Sequence, residues 1–383
     1  MIILALSTAV FKIPFYQTFR STTIDALHAF DLGVTKKFLC GWLSQKTRGT
    51  SYHIDADAKK ALDSLCASIR PPDSLPRKMR PLSDIENFKA SEFNIFLLYY
   101  FPSVLPDILS RAHYRHFFIY CFCLSTLLKK SITREEVKWI DILLNKFVKE
   151  VDVLYGFKYK TLNLHLLQHA SSVLQHVGSY RDINAYLFED MNGKLRNMIT
   201  SSKNVAKQIA VKSEMMFEIA IDKIESENFI DKLEPLLKNK SKLEGRFVSL
   251  CANYFDHPIL FQFETFRNRK KKLFLTSESY KLKGKSINHL VKTFDGKFFL
   301  IHCFLVDYGK VFAIGRKVTP IGQVSIDVVH DDQVKTLRLE HYHEVHLSSN
   351  FEINEAENFI EKCMLIQINS KTYCVELFFN CAY

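Results

Sequence analysis

Three features of this sequence predict an α+β chain, with a long helical region followed by a small C-terminal all-β barrel or sandwich domain. Between about residues 85 and 223, apolar side chains recur at spacings of three and four, broken only by short polar stretches. After the basic run Arg267-Asn268-Arg269-Lys270-Lys271-Lys272, short segments rich in β-branched and aromatic residues take over, separated by turn signals. A length of 383 residues with 47% hydrophobic and 24% charged residues supports a sizeable core and excludes a disordered chain.

Residues 1–20 read as one strand and a turn at Pro14. Residues 22–43 read as an Asp25 segment running into a helix, because Leu27, Phe30, Val34, Phe38 and Trp42 fall on one face. Asp25 and His28 are three apart and share a face on a helical turn. Asp25 suits the start of that helix equally well as an acid near the positive end of the macrodipole. A loop (44–55) and a short helix (56–69) follow. Pro71, Pro72, Pro76 and Pro81 then impose an extended connector, made basic by Arg70, Arg77, Lys78 and Arg80.

Helices are expected near 84–100, 103–110, 114–129, 133–154, 161–177, 184–200 and 203–224. Thr133 with Glu136 three residues on marks a capping box. His165 and His169 stand at i and i+4, a spacing that suits metal chelation, yet no third ligand is near and hydrogen-bonding duties read better. Within 184–200, Leu187, Met191, Leu195 and Met198 form an apolar stripe, and Glu189 lies about 200° away from Leu187 at 3.6 residues per turn. Asn192 and Arg196 share its side. A carboxylate there is either a solvated surface charge or a metal ligand. Residues 225–243 are charged and close the helical part. Strands are expected near 273–281, 287–294, 297–306, 311–318, 336–346, 362–368 and 372–379, with Asp295-Gly296 as a tight hairpin turn and further turns at 307–310 and 369–371.

Four blocks, in order, resemble CACTA-type (En/Spm-like) DNA transposases in their animal form. They are TIDALHAFDLGVTKKFLCGWL (23–43), IRPPDSLPRKMRPLSDIENFKASEFNIFLLYY (69–100), KFVKEVDVLYG (146–156), and NLHLLQH with LFEDMNGKLRNMITSSKNVAKQI (163–209), and the likeness covers roughly residues 20–225. The resemblance implies an RNase H-like catalytic core carrying a DD[E/D] triad, with a large helical insertion. Its second acid would be Asp25 of the D-x-x-H motif Asp25-Ala26-Leu27-His28, and its third Glu189 of Phe188-Glu189. His28 would orient Asp25 or contact a phosphate. Such acids hold two magnesium ions (Mg2+) that activate the attacking oxygen and stabilise the leaving one. The first acid and a Cys-rich segment belong upstream of D-x-x-H, whereas the 24 residues before Asp25 contain no acid. The expectation is therefore an N-terminally truncated relative, incomplete and inactive. It would be organised as a core remnant (1–43), helical insertion (44–160), helical catalytic block (161–244), basic linker (245–272) and β-domain (273–383).

Lys+Arg 52 against Asp+Glu 41 gives a formal net charge of +11, which favours a polyanionic partner. DNA is the expected one, nuclear the expected location, and Arg267, Arg269, Lys270, Lys271 and Lys272 the expected contacts. A DNA-binding derivative without catalysis and a protein-interaction module are the alternatives, and assembly with further copies of itself stays open. Nine scattered cysteines without a C-x-x-C pair argue for reduced, buried thiols and against a structural zinc site. Residues 1–11 are apolar but lack the positive flank of a signal peptide, and 117–128 are too short to span a bilayer, so no membrane partner is expected. No phosphate-cradling, dinucleotide-binding or G-x-S-x-G nucleophile motif is present.

Overall fold

The computed structural model describes residues 23–75, 77–183, 185–230, 236–268, 270–280 and 287–377. The expected N-terminal strand and Arg269 lie outside them. The chain divides into two compact units, each discontinuous in sequence. The first comprises the described parts of Met1–Ser68, Arg77–Leu187 and Val324–Leu339; the second comprises those of Ile69–Pro76, Phe188–Gln323 and Glu340–Tyr383. The whole is a mixed α+β protein whose described strands all lie from Leu236 onward.

In the first unit, the helix anticipated after Asp25 begins as a π-helical stretch, Ala26–Thr35, and tightens into α1 (Lys36–Leu43). Its apolar face buries as the spacing predicts, with Leu27, Phe30, Val34, Phe38 and Trp42 all in the core. The wider turn is a departure from the expected α-helix. π-turns are rare and gather at special sites, and here the stretch packs so tightly that a Cβ on Gly33 would lie 2.5 Å from Asn163 Nδ2. Gly41 is equally constrained, since a Cβ there would meet the Tyr159 hydroxyl at 1.9 Å. After α2 (Ala56–Ser68), the helix anticipated at 84–100 splits. A 3-10 turn, Leu82–Asn87, precedes α3 (Ala90–Ile95), which continues through a π-helical Phe96–Tyr100 into α4 (Phe101–Val104). The break has an electrostatic cause. The Arg80 guanidinium binds Asp84, the Asn87 carbonyl and both oxygens of buried Glu92, the latter at 2.7 Å each, while Lys89 N–H donates to Glu92 at 2.8 Å and restarts the helix. Burial, the largest single influence, would raise the Glu92 carboxyl, but the Arg80 guanidinium, the Lys89 N–H and the charge of Arg77 together outweigh it and hold the group below the usual range. The helix expected at 103–110 ends at Val104, just before Pro106.

Helices α5 (Arg111–Leu127) and α6 (Arg134–Tyr155) form the centre of this unit. The α6 capping box is made as its sequence requires: Thr133 Oγ1 accepts from Glu136 N at 3.2 Å, and Thr133 N donates to Glu136 Oε2 at 2.7 Å. Phe38 of α1 meets Phe117 at 5.4 Å, Phe147 at 5.7 Å and Tyr155 at 4.8 Å between ring centroids. Trp42 meets Phe117 edge-on at 4.7 Å. Aromatic pairs like these add about 0.5–1.5 kcal/mol each beyond their buried area. Then come α7 (Leu162–Leu166), N-capped by Thr161, a 3-10 turn, and α8 (Ala170–Val177), which ends at Gly178 with φ +102°. The tip residues 324–339 also belong here: Lys335 lies over the Trp139 ring at 4.9 Å and near Glu135 at 3.7 Å.

Two further helices are α9 (Tyr186–Met198) and α10 (Val205–Ile230). The sheet starts earlier than the sequence suggests, with β1 (Leu236–Lys242) and β2 (Phe261–Asn268) flanking the short α11 (Val248–Ala252) inside the stretch read as charged tail and basic linker. There follow β3 (Leu273–Thr276), β4 (Leu290–Thr293), β5 (Phe298–Asp307), β6 (Lys310–His330), β7 (Gln333–Glu355), β8 (Phe359–Ile368) and β9 (Lys371–Glu376). The order is β1-β2-β5-β4-β8-β9-β7-β6, with β3 on β2, and β5 also pairs with β6. The path from β5 round to β6 therefore closes on itself, and each of its six strands contributes to one buried cluster, Leu290, Phe298, Leu300, Val318, Val345, Cys363 and Cys374, while Val291, Phe299 and Phe304 pack in a separate cluster with Phe266 of β2 and Leu275 of β3. The Asp295-Gly296 turn forms as expected, with Gly296 at φ +80° and Thr293 N–H donating to Lys297 O at 2.8 Å. Strands β6 and β7 run far beyond the segments anticipated at 311–318 and 336–346. They turn at Asp331-Asp332, whose φ values of 45° and 61° suit a tight hairpin.

Eight of the nine cysteines are described, all as free thiols, and only Cys40 is not buried. Among the described residues no helix is long and apolar enough to cross a membrane.

Candidate functional site

Asp25 is the N-cap of the π-helical stretch, with extended backbone at φ −80°, ψ 127°. Its Oδ1 accepts from Leu27 N at 3.2 Å and from Ala185 N at 2.8 Å. Its Oδ2 accepts from His28 N at 3.0 Å and contacts His28 Nδ1. One carboxylate thus joins the starts of two helices, its own and α9, where a negative charge complements both macrodipoles. A carboxylate has about four lone-pair positions, and all four are engaged. His28 remains half-exposed at the surface as the partner of Asp25. Both acid readings of Asp25 advanced from the sequence, helix start and family acid, concern a residue whose oxygens are already spoken for by the fold.

The acid that sequence spacing did not single out is Asp31, six residues on. It is 1% exposed and accepts from Tyr186 Oη at 2.8 Å and Asn94 Nδ2 at 3.1 Å. Burial lifts its carboxyl to about 7; the two hydrogen bonds oppose that rise and Asp25 adds slightly to it. Asp25 and Asp31 therefore grip adjacent residues, Ala185 by its backbone and Tyr186 by its hydroxyl. Nothing in the sequence around Asp31 separates it from a surface acid, because which acid is enclosed depends on α3 and on residues 185–186.

Glu189 lies in the first turn of α9 and is exposed, and Phe188 beside it is exposed as well. Met198, at the far end of the apolar stripe, is buried, Leu195 is half-buried and Met191 is exposed. Asp25 belongs to the first unit and Glu189 to the second. A pair of magnesium ions needs open carboxylate oxygens shared between them. The saturated Asp25 does not fit that requirement, and among the described residues no group of three or more His, Cys, Asp and Glu is arranged to hold a metal ion. His165 and His169 approach with their Nε2 atoms 3.4 Å apart and rings edge-to-face.

The cationic residues lie on the β unit. Arg267 of β2 is exposed, its guanidinium 5.2 Å from the Phe274 ring centroid. Lys270, Lys271 and Lys272 are exposed in the following turn, where Lys271 N–H donates to Asn268 Oδ1 at 3.0 Å and Lys271 Nζ approaches Glu357 at 3.7 Å. Three further cations escaped the sequence reading: Lys238, Lys240 and Lys242 of β1, all exposed. Their i, i+2, i+4 spacing is the signal that could have found them, since it places all three on one face of a strand. Register pairs Leu236 with Arg267, Lys238 with Thr265 and Lys240 with Phe263, so Arg267 shares that face. Lys240 Nζ sits 3.8 Å from the Phe261 ring centroid, a cation–π contact that steadies the row.

No protein-family model matches the chain, and no curated protein or solved structure gives a significant match to it.

Proposed function

We propose that this chain is a transposase-derived, nuclear DNA-binding protein that holds duplex DNA by its phosphates and carries out no two-metal phosphoryl transfer. The observation that supports it most is the concentration of charge on the β1–β2 region. Residues 236–273 contain nine Lys and Arg against three Asp and Glu, more than half of the formal net charge of +11. Lys238, Lys240, Lys242 and Arg267 present part of that charge as one row. Phosphate contacts from such a row position a protein without reading sequence. The ordered likeness of residues 20–225 to CACTA-type transposases supports the origin, and an RNase H-like ancestry for the core goes with it. The saturation of Asp25 supports the loss of chemistry.

The test is the salt dependence of binding to a labelled duplex by the full chain. Neutralising Lys238, Lys240 and Lys242 to Ser should weaken binding uniformly across sequences. It should also lower the slope of log affinity against log salt by about 0.9 for each phosphate that the variant no longer neutralises. An unchanged slope would remove the row from the interface. Magnesium-dependent nicking of duplex DNA by the same preparation, abolished in Asp25→Asn, would overturn the non-catalytic half of the reading.

A further inference from the structure

Within the first unit, α5, α6 and the end of β6 leave a cavity of about 460 Å³ between them. Its walls are mostly apolar. Ile119 of α5, Leu154 of α6 and Ile326 and Val328 of β6 line it, and the exposed Val153 and Val329 extend the same character outward. Ile326 and Val328 are buried on either side of the exposed Asp327, so the strand turns one apolar face to the helices. Small-molecule sites commonly occupy roughly 300–1,000 Å³. This one has room for about fifteen groups the size of a water molecule.

The charges on these walls do not balance. Lys146 and Glu150, one turn apart on α6, pair at 2.7 Å and cancel. His116 contributes a neutral ring, since burial holds its pKa down at about 4. What remains is the guanidinium of Arg115, half-buried and bonded to no acidic side chain among the described residues. It donates to the backbone carbonyl of Asp327, whose carboxylate instead accepts from Thr336 Oγ1 at 2.6 Å. That carbonyl lies between Ile326 and Val328, so the guanidinium stands where the helical wall meets the strand wall. A guanidinium carries five N–H donors, and a carboxylate takes two of them in a fork. A phosphate or a polyanion would meet a single unbalanced cation and apolar walls. A single carboxylate on an apolar body matches both.

We infer that this cavity binds a small amphipathic monocarboxylate, an alkanoic or aryl-alkanoic acid of roughly ten to fifteen non-hydrogen atoms. Its carboxylate sits on Arg115 and its apolar body between α5, α6 and β6. The inference is independent of the DNA-binding proposal, whose cations lie on the β unit. Titration calorimetry of the full chain with decanoate and with decan-1-ol tests it. Decanoate should bind saturably at one site per chain, and decanol more weakly. Arg115→Gln should weaken decanoate binding roughly tenfold or more and leave decanol unchanged, a split that misfolding could not give. Ala112→Trp, which fills the cavity from an exposed position on α5, should abolish binding of both with unchanged helical circular dichroism. That variant leaves the exposed Met215, Phe217 and Ile219 of α10 in place, so adsorption on α10 would persist in it. A wild-type chain without saturable decanoate binding, an equal loss for both ligands in Arg115→Gln, or decanoate binding that survives Ala112→Trp would each overturn the assignment.

Discussion

Helices α5 and α10 look alike in sequence, both long and both apolar on more than one face, yet they meet opposite fates. In α5, twelve of seventeen residues are buried. Even its histidines are enclosed: His116 Nε2–H donates to Phe147 O at 2.9 Å, its Nδ1 is buried without a hydrogen-bond partner among the described residues, and burial pushes the ring's pKa down to about 4. In α10, Met215, Phe217 and Ile219 each keep more than half of their surface exposed. The difference lies in the neighbours. α5 has α6 and the rings of Phe38 and Trp42 against it, and its apolar surface is spent inside the chain. A sequence states that a helix needs cover; it does not state where the cover comes from.

The most demanding test of that contrast is to truncate one phenylalanine in each helix. Phe117→Ala in α5 removes a ring packed against Trp42, Phe38 and Phe101. It should destabilise the chain by about 3–5 kcal/mol in chemical unfolding. Phe217→Ala in α10 should stay within about 0.5 kcal/mol in dilute solution. Similar losses at both sites would mean that α10 is buried after all.

Next in size is Asp31, the carboxylate enclosed beside α3. Its folded pKa near 7 exceeds the ordinary value of 3.8, so between those values the native chain holds a proton that the unfolded chain has released. Stability is then greatest below about pH 4, falls as pH rises, and levels off above about pH 7. Asp31→Asn should flatten this profile and stabilise the protein at pH 8 by up to about 4 kcal/mol, with the gain vanishing near pH 4. An equal effect at both pH values would show that Asp31 is not protonated in the native state. Smallest is the cap on α6, the helix that covers α5. Thr133→Ala should lose about 1 kcal/mol of stability, and no loss would mean that Glu136 alone holds that end.

Much of the fold was legible where a short-range rule dictates geometry. Thr133 with Glu136 and Asp295 with Gly296 formed as written because each feature is complete within a few residues. Strand β1 was not legible: LLKNKSK alternates lysine with polar residues, and its strand character comes from pairing with β2 twenty-odd residues away. The hairpin of β6 and β7 was read only in fragments, because Pro320 and Gly322 interrupt a pattern that the strands nevertheless carry through. At the candidate site, the position of Asp25 at a helix start could be read from spacing. Its bond to Ala185, 160 residues later, could not, and neither could the enclosure of Asp31.

The interleaving of the two units along the chain bears on biosynthesis. The first unit includes Val324–Leu339, and the second includes Ile69–Pro76. As the polypeptide leaves the ribosome, the helical portion therefore waits for a late hairpin tip before it is complete, and the early Ile69–Pro76 waits for strands not yet made. Neither unit is available to a nascent chain as a finished module. Folding of such a chain is paced by pairings of very long sequence separation, which form slowly, and the incomplete halves expose surface that invites chaperone capture meanwhile.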